Sequence, residues 1–342
     1  MKIVAVVMAG GSGERFWPLS RKNYPKQLLK IAGNRSMLSA ACERIQPLVH
    51  PEDIFIITGK VLKLVIEAQA GLVPPDNVIA EPTGKNTAAC LALACAYLEH
   101  RYPDEEDLVM VVLTADHYIH DMPTFLGNCE VAVQCAEETG ALITFGVVPS
   151  RPETGYGYIE LGEQLAGHSG VFRVKEFREK PDLETARGFL QSGNFLWNSG
   201  MFIWRKSSLK REFEKHAPDI FSHIDPMRLA YSAPHPESAL AEAFKPLPQV
   251  SIDVAVMEKA ENRCVVRATF DWDDIGTWSS LGRLLAKDAN ANVSFGNSIL
   301  NGSSRKPLVG AGVEIGAGSL PGVPRYPCLM SDTRAVLGTP TS

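Results

Sequence analysis

The sequence predicts an α/β fold, a Rossmann-like mixed and mostly parallel sheet with helices on both faces. Short apolar runs alternate along the chain with segments that have helical spacing, which is typical of such sheets. The first run, residues 3–9, is rich in β-branched residues and too short for a buried helix, so it predicts a strand buried on both faces. A glycine-rich turn follows it directly.

The first half of the chain continues this alternation. Apolar runs predict strands at 53–58, 77–80, 108–113 and 141–147, and helical spacing predicts helices at 36–48, 61–70, 88–100 and 123–139. Polar segments follow three of the strands, at 10–15, 81–87 and Asp116. Because ligands bind at the carboxyl ends of parallel strands, we expect these three segments to form one site.

The second half has a different pattern. It predicts strands at 171–178 and 265–270, helices at 183–191 and 280–286, a buried run at 195–204 and a mostly helical stretch at 208–244; residues 252–259 fit helix or strand. We expect this half to cover the sheet edge and form the far wall of a pocket. The predicted domains are a catalytic domain at 1–288 and a small C-terminal β domain or tail at 289–342. An apolar-Gly-Ala-Gly repeat at 309–318 indicates a short left-handed β-helix, with a glycine-rich loop as the alternative.

Composition excludes several classes of protein. A net charge of −5 argues against a nucleic-acid partner, and no apolar run approaches the ~20 residues of a membrane helix. The N-terminal apolar run lacks a small-residue cleavage site, so no signal peptide is expected. Seven cysteines without a CxxC pair indicate a reducing compartment and no disulfide framework. His117 and His120 lack the second cluster that a zinc site needs.

The glycine-rich turn is suited to a polyphosphate. Three glycines in the four positions 10–13 let backbone N–H groups face an anion, and residues 13–30 carry five cations against one carboxylate, a local charge of +4. The turn is not a dinucleotide fingerprint, because Phe16 stands where the third glycine is required. It is not a P-loop either, since no Gly-Lys-Ser/Thr triplet follows.

With Pro25-Lys26 downstream, the turn resembles the motif of the sugar-1-phosphate nucleotidylyltransferases. Nine ordered motifs extend the resemblance over residues 1 to about 285 and narrow it to the bacterial mannose-1-phosphate guanylyltransferases. They lie at 9–20, 25–28, 81–88, 115–117, 144–159, 177–182, 195–202, 251–259 and 270–279. The tail departs from the family pattern, with Pro and Gly where apolar strand residues are expected.

The resemblance implies the nucleotide-diphospho-sugar transferase fold and a cytoplasmic enzyme. Its expected substrates are GTP and mannose 1-phosphate, its products are GDP-mannose and pyrophosphate, and its cofactor is Mg²⁺. The resemblance leaves a homodimer open. Similar proteins often continue into a cupin domain that isomerises mannose 6-phosphate, and this chain is expected to be monofunctional because it ends before one.

The resemblance also implies roles for individual residues. The catalytic residues are Arg15, Lys26, Asp116, Lys180 and Asp274, with Asp116 and Asp274 also as metal ligands. The nucleotide-binding residues are Ala9, Gly10, Gly11, Gly13, Glu81, Gly84, Asn86 and Thr87. The sugar-phosphate-binding residues are Gly157, Glu179, Lys180 and Asn198.

Several assignments have alternatives. Glu81 is expected to accept the two adjacent N–H donors of guanine, or else to cap the helix that begins near Asn86. Asp274 is preferred to Asp271 and Asp273 because it directly precedes the Ile-Gly turn in the family motif. The alternative functions are another hexose-1-phosphate nucleotidylyltransferase, such as one for dTTP and glucose 1-phosphate, and a non-catalytic regulatory homologue. Glu81 and the run at 197–202 argue against the first alternative. The presence of every expected catalytic residue argues against the second.

Overall fold

The structure, a computed structural model, describes residues 1–11, 16–17, 19–31, 33–70 and 73–284, and beyond them the backbone of six short strands. The chain divides into two compact units. The first comprises Met1–Gly11 and Ser36–Trp272, and the second comprises Ser12–Arg35 and Asp273–Ser342. The domain boundary at residue 288 stays a prediction.

The first unit is built on a nine-stranded sheet. The strands are β1 (Lys2–Met8), β2 (Ile54–Gly59), β3 (Val78–Glu81), β4 (Leu108–Thr114), β6 (Leu142–Val147), β7 (Tyr158–Gln164), β8 (Val171–Arg178), β9 (Phe195–Arg205) and β10 (Arg263–Arg267). Their order in the sheet is β3-β2-β1-β4-β9-β6-β10-β8-β7. Two-residue strands also occur at β5 (Tyr118–Ile119) and β11 (Trp272–Asp273).

The first four strands of the sheet are parallel, since β1 pairs in parallel with β2 and β4, and β2 with β3. Their carboxyl ends therefore meet at one edge, as the sequence predicts. The long strand β9 runs antiparallel between β4 and β6 and makes the sheet mixed. The predicted α/β fold is confirmed.

Helices cover the sheet because their apolar residues recur with helical spacing. They are α1 (Met37–Ile45), α2 (Lys60–Ala70), α3 (Asn86–Arg101), α4 (Met122–Thr139), α5 (Leu183–Ser192), α6 (Lys206–His216), α7 (Pro218–Phe221), α8 (Ile224–Ala230) and α9 (Pro236–Phe244). Helix α3 is buried on every side from Ala88 to Leu98, because Ala and Cys side chains let the main core of the unit close around it.

The structure resolves the ambiguous segments. Residues 208–244 form parts of four helices, and Pro218 and Pro236 each stand at the first helical position, where proline is tolerated. The segment 252–259 contains a π-helical turn, Asp253–Met257, so the helical alternative is correct and the strand alternative is wrong. The strand predicted at 265–270 runs from Arg263 to Arg267 instead, because its backbone pairs with β6 and β8 over those residues.

The second unit contains the 3₁₀-helical turn Lys26–Leu28 and helix α10 (Trp278–Leu284). Its remaining strands are β12 (Val293–Phe295), β13 (Ser298–Ile299), β14 (Pro307–Val309), β15 (Ile315–Gly316), β16 (Cys328–Ser331) and β17 (Arg334–Leu337). The predicted β-helical repeat at 309–318 falls largely outside the described residues. Among the helices of the described part of the chain, none is long and apolar enough to cross a membrane.

Candidate active site

The glycine turn begins where β1 ends, at the carboxyl edge of the parallel strands. The Ala9 backbone N–H donates to the Ile57 carbonyl at 2.8 Å, and the Thr58 hydroxyl donates to the Ala9 carbonyl at 3.0 Å. These bonds fix the start of the turn against β2. Gly11 has φ +89°, and a Cβ at this position would contact nothing within 4 Å, so the chain can turn there with open space beside it. Gly13 and Arg15 lie outside the described residues.

Glu81 ends β3 and lies beside the start of the turn. A Cβ on Gly10 would lie 3.8 Å from Glu81 Oε2. The Glu81 side chain is only 7% exposed, and its Oε1 has no hydrogen-bond partner among the described residues. Burial raises the pKa of Glu81 to about 7. A buried carboxylate with an unsatisfied oxygen is costly and suggests a ligand that donates to it.

The structure argues against the alternative in which Glu81 caps helix α3. The N-cap residue of α3 is Lys85, and its own side chain makes no capping hydrogen bond. The Lys85 ammonium instead donates to the carbonyls of Lys245 and Leu247. The Thr87 hydroxyl accepts from the Ile252 backbone N–H at 2.8 Å. The loop between β3 and α3 is thus held by the segment at 245–252, while Glu81 is left for another role.

Gly84 and Asn86 complete the predicted nucleotide loop. A Cβ on Gly84 would contact nothing within 4 Å, which leaves room beside this part of the backbone. Asn86 has a positive φ of 69°, and its side-chain oxygen accepts from the Thr87 N–H at 2.8 Å.

The four predicted sugar-phosphate residues lie together in the first unit. The Asn198 backbone N–H donates to the Gly157 carbonyl at 2.8 Å, which joins β9 to the turn before β7. A Cβ on Gly157 would lie 2.7 Å from Glu179 Oε2, so any larger residue there would displace the Glu179 carboxylate. Lys180 pairs with Glu179 through an Nζ–Oε1 distance of 2.8 Å. The Glu179 carboxylate, the Lys180 ammonium and the Asn198 amide therefore lie around the backbone at Gly157.

The structure adds residues that the sequence reasoning missed. The Thr144 hydroxyl lies 2.9 Å from both Asn198 Oδ1 and the Met201 carbonyl oxygen, and Asn198 Nδ2 donates to Asp253 Oδ1 at 2.9 Å. Burial and the negative charge of Glu179 raise the pKa of Asp253 to about 7. The family motif at 251–259 pointed to Asp253 without giving it a role. The family motif at 144–159 begins at Thr144 and likewise gave it no role.

Asp116 follows β4 at the same edge of the sheet. The Ala115 backbone N–H donates to the Met8 carbonyl at 3.0 Å, so the residues after β4 begin beside the end of β1. The next residue, His117, accepts through Nδ1 from the Trp272 indole N–H at 3.1 Å. Tyr156 packs edge-on against Trp272 with ring centroids 5.4 Å apart. This aromatic contact joins the Asp116 loop to the turn before β7, and the sequence did not predict it.

In the second unit the structure brings Lys26 and Asp274 together. Lys26 is buried, and its ammonium donates to the Asp274 carbonyl. The neighbouring Asp273 is held differently, because Arg283 donates to its Oδ2 from Nε at 3.0 Å and from a terminal nitrogen at 2.8 Å. Asp273 Oδ1 also accepts from the Ile275 N–H at 2.8 Å. Asp273 therefore has a structural role, which favours Asp274 as the candidate metal ligand.

Backbone strain in the described residues coincides with the predicted site. Three non-glycine residues there have positive φ: Asn86 at 69°, Lys180 at 43° and Ile275 at 44°. Ile275 is β-branched and fully buried, which makes this conformation especially unfavourable. Two of the three are predicted site residues, and the third follows Asp274. Such strain persists where the surrounding structure imposes it, and it concentrates at functional sites.

The mixed sheet, with a glycine turn and acidic residues at the carboxyl ends of its parallel strands, is the arrangement of an α/β protein that binds a ligand at that edge. The chain belongs to the nucleotidyl transferase family, whose model matches residues 4–291. It is 42% identical over 306 residues to a mannose-1-phosphate guanylyltransferase of Escherichia coli, covering 87% of this chain and 63% of that protein. The chain spans less than two thirds of the length of the curated relatives it matches.

Solved structures agree with this assignment. A Thermus thermophilus protein described as a mannose-1-phosphate geranyltransferase is 33% identical, with a TM-score of 0.78 over 93% of both chains. A Helicobacter pylori protein described as a mannose-6-phosphate isomerase is 25% identical, with a TM-score of 0.62, covering 80% of this chain and 100% of that one. The family resemblance indicated by the sequence motifs is confirmed.

Proposed function

We propose that this protein transfers GMP from GTP to mannose 1-phosphate, giving GDP-mannose and pyrophosphate. The observation that carries the proposal is the buried Glu81 carboxylate beside Gly10, with one oxygen unpaired among the described residues. It stands at the strand end next to the turn proposed for the triphosphate. The similarity to mannose-1-phosphate guanylyltransferases supports the same reaction.

The chemistry of the bases supports guanine over the pyrimidines. Guanine presents N1–H and N2–H₂ side by side, and both can donate to one carboxylate. Uracil and thymine present a single N–H between two carbonyl oxygens, so a carboxylate would face at least one repulsive lone pair. A buried carboxylate that must be ionised to bind would therefore reject UTP and dTTP. This distinguishes the proposal from the glucose-1-phosphate alternatives.

The reaction needs positioning and charge neutralisation more than acid–base chemistry. An anionic oxygen of mannose 1-phosphate attacks the α-phosphorus of GTP, and the bond to the leaving pyrophosphate breaks, so no proton has to be removed from the nucleophile. Lys180 would neutralise the sugar phosphate. Lys26 and the amides of the glycine turn would stabilise the triphosphate and the departing pyrophosphate.

Asp116 and Asp274 are the residues proposed to hold Mg²⁺. Their carboxylate oxygens are the hard ligands that this ion takes, usually one or two from the protein, and the neighbouring Asp273 is already paired with Arg283. When bound, the ion supplies positive charge that reduces repulsion between the two phosphate groups. The binding of the sugar itself is assigned to Glu179, which would accept from hydroxyl groups, and to Asn198, whose amide has a second N–H to donate.

The test is pyrophosphate release over a grid of GTP, ATP, UTP and dTTP against mannose 1-phosphate and glucose 1-phosphate. We expect GTP with mannose 1-phosphate to give the highest kcat/KM and the product to have the mass of GDP-mannose. Faster turnover of dTTP with glucose 1-phosphate would contradict the proposal. Binding of GTP without any turnover would instead indicate a regulatory homologue.

A further inference from the structure

Asn198 is held by hydrogen bonds that determine which way its amide points. The Gly200 backbone N–H, which can only donate, lies 3.2 Å from Asn198 Oδ1. The Thr144 hydroxyl lies 2.9 Å from the same oxygen, but its one proton is shared with the Met201 carbonyl at 2.9 Å, so the Gly200 N–H decides the orientation. The opposite end of the amide must therefore be the NH₂ group, and Asp253 Oδ1 accepts from it at 2.9 Å. One N–H of Asn198 is used by Asp253, and no acceptor for the other is found among the described residues.

Asp253 is itself fixed from two sides. Its carbonyl accepts from the Glu258 N–H at 2.8 Å, which closes the π-helical turn Asp253–Met257. The preceding Ile252 N–H donates to the Thr87 hydroxyl at 2.8 Å in the proposed nucleotide loop. π-Helical turns are rare and frequently occur at functional sites. These hydrogen bonds hold the π-helical turn and thereby fix the position of the Asp253 carboxylate, which accepts from Asn198.

From these contacts we propose that Asp253 is a positioning residue for the sugar phosphate, acting by orienting the Asn198 amide so that its remaining N–H points to a sugar hydroxyl. The inference rests on the proposed function, because it takes Asn198 as a sugar contact. Asp253 also lies close enough to Glu179 for the two carboxylates to repel each other, which places both acidic groups at the same subsite.

Three variants test the proposal by steady-state kinetics. Asp253→Ala removes the acceptor, and we expect KM for mannose 1-phosphate to rise about ten- to a hundredfold, the scale of one hydrogen bond to a charged group, with KM for GTP within about twofold. Asp253→Asn keeps an oxygen that can accept from Asn198 Nδ2, so its KM should stay within about threefold of wild type. The matched control is Asp104→Ala, at an exposed loop aspartate, which should leave both KM values unchanged.

The decisive measurement is a double-mutant cycle with Asn198→Ala. If Asp253 acts through Asn198, then Asp253→Ala should change KM by less than about twofold in the Asn198→Ala background. Additive effects of the two substitutions would overturn the inference, and so would equal damage from Asp253→Ala and Asp253→Asn. Thermal melts of each variant show whether it is folded, and binding of mannose 1-phosphate by calorimetry gives the same comparison without turnover.

Failure of the proposed function can be told apart from failure of this inference. If the wild-type protein prefers another sugar 1-phosphate, the proposed substrate is wrong, and the cycle is then run with the preferred sugar phosphate. Coupling between residues 198 and 253 with that substrate still supports the positioning role. If the substitutions at residues 198 and 253 are additive with a sugar phosphate that the protein turns over, the positioning role of Asp253 is wrong.

Discussion

Replacing Glu81 by Gln should have opposite effects on stability and on nucleotide binding. Burial raises the pKa of Glu81 from 4.5 to about 7, so the folded state holds this proton more tightly than the unfolded state does. At a pH between 4.5 and about 7, Glu81 is ionised in the unfolded chain but still holds its proton in the folded protein. Wild-type stability should therefore fall as the pH rises from about 4.5 to 7, and it should stay lowered above pH 7.

The size of this effect follows from the two pKa values. The difference between 7 and 4.5, at about 1.4 kcal/mol per pKa unit, gives a loss of about 3 kcal/mol on going from low to high pH. Glu81→Gln cannot ionise and should not show this loss. The constant cost of burying an amide affects the variant equally at every pH, so the pH dependence of the difference isolates the carboxylate.

The assay is urea unfolding of the nucleotide-free protein at pH values from about 4 to 8, with Glu163→Gln, at an exposed carboxyl on β7, as the matched control. We expect Glu81→Gln to gain about 3 kcal/mol relative to wild type across this range, while the control follows wild type. Saturating GTP should then raise the melting temperature of wild type more than that of Glu81→Gln. Parallel stability curves for wild type and Glu81→Gln would refute the account of a buried, ionisable Glu81.

Three further predictions concern the metal ligands and the sugar subsite. Asp274→Asn and Asp116→Asn should each lower kcat by about 10²-fold or more, with unchanged or slightly raised melting temperatures in metal-free buffer. Asp273→Asn should lower the free energy of unfolding by about 1–3 kcal/mol, because it weakens the contacts with Arg283. If Asp273→Asn abolishes turnover while Asp274→Asn stays near wild type, then Asp273 and not Asp274 is the metal ligand. Gly157→Ala should raise KM for mannose 1-phosphate in initial-rate assays, because its Cβ would lie 2.7 Å from a carboxylate oxygen; an unchanged KM would remove Gly157 from the subsite.

The parallel half of the sheet was predictable because each strand there is a continuous apolar run. The runs at β1, β2 and β4 are buried on both faces, so their composition identifies them without any pairing information. The carboxyl ends of β1, β3 and β4 then place the glycine turn, Glu81 and Asp116 at one edge. Their common location could be predicted because the carboxyl ends of parallel strands lie at the same edge of a sheet, whatever the strand order.

The rest of the site depends on contacts between segments that are far apart in the sequence. Asp253 meets Asn198 only because β9 and the π-helical turn come together in the folded chain, and no local pattern predicts a π-helical turn. The pairing of Asp273 with Arg283 likewise becomes visible only once α10 has formed. In the sequence, Asp273 and Asp274 differ only in their position relative to the Ile-Gly turn.

The most direct test of the central claim, that the Glu81 carboxylate reads guanine, compares GTP with ITP. Inosine lacks the N2 amino group and otherwise matches guanosine, so it removes one of the two donors proposed to reach Glu81. We expect wild type to prefer GTP over ITP in kcat/KM by about 1–3 kcal/mol, roughly ten- to a hundredfold, the scale of one bidentate contact to a base. Glu81→Gln should reduce that preference to near unity. An equal preference in wild type and variant would contradict the account.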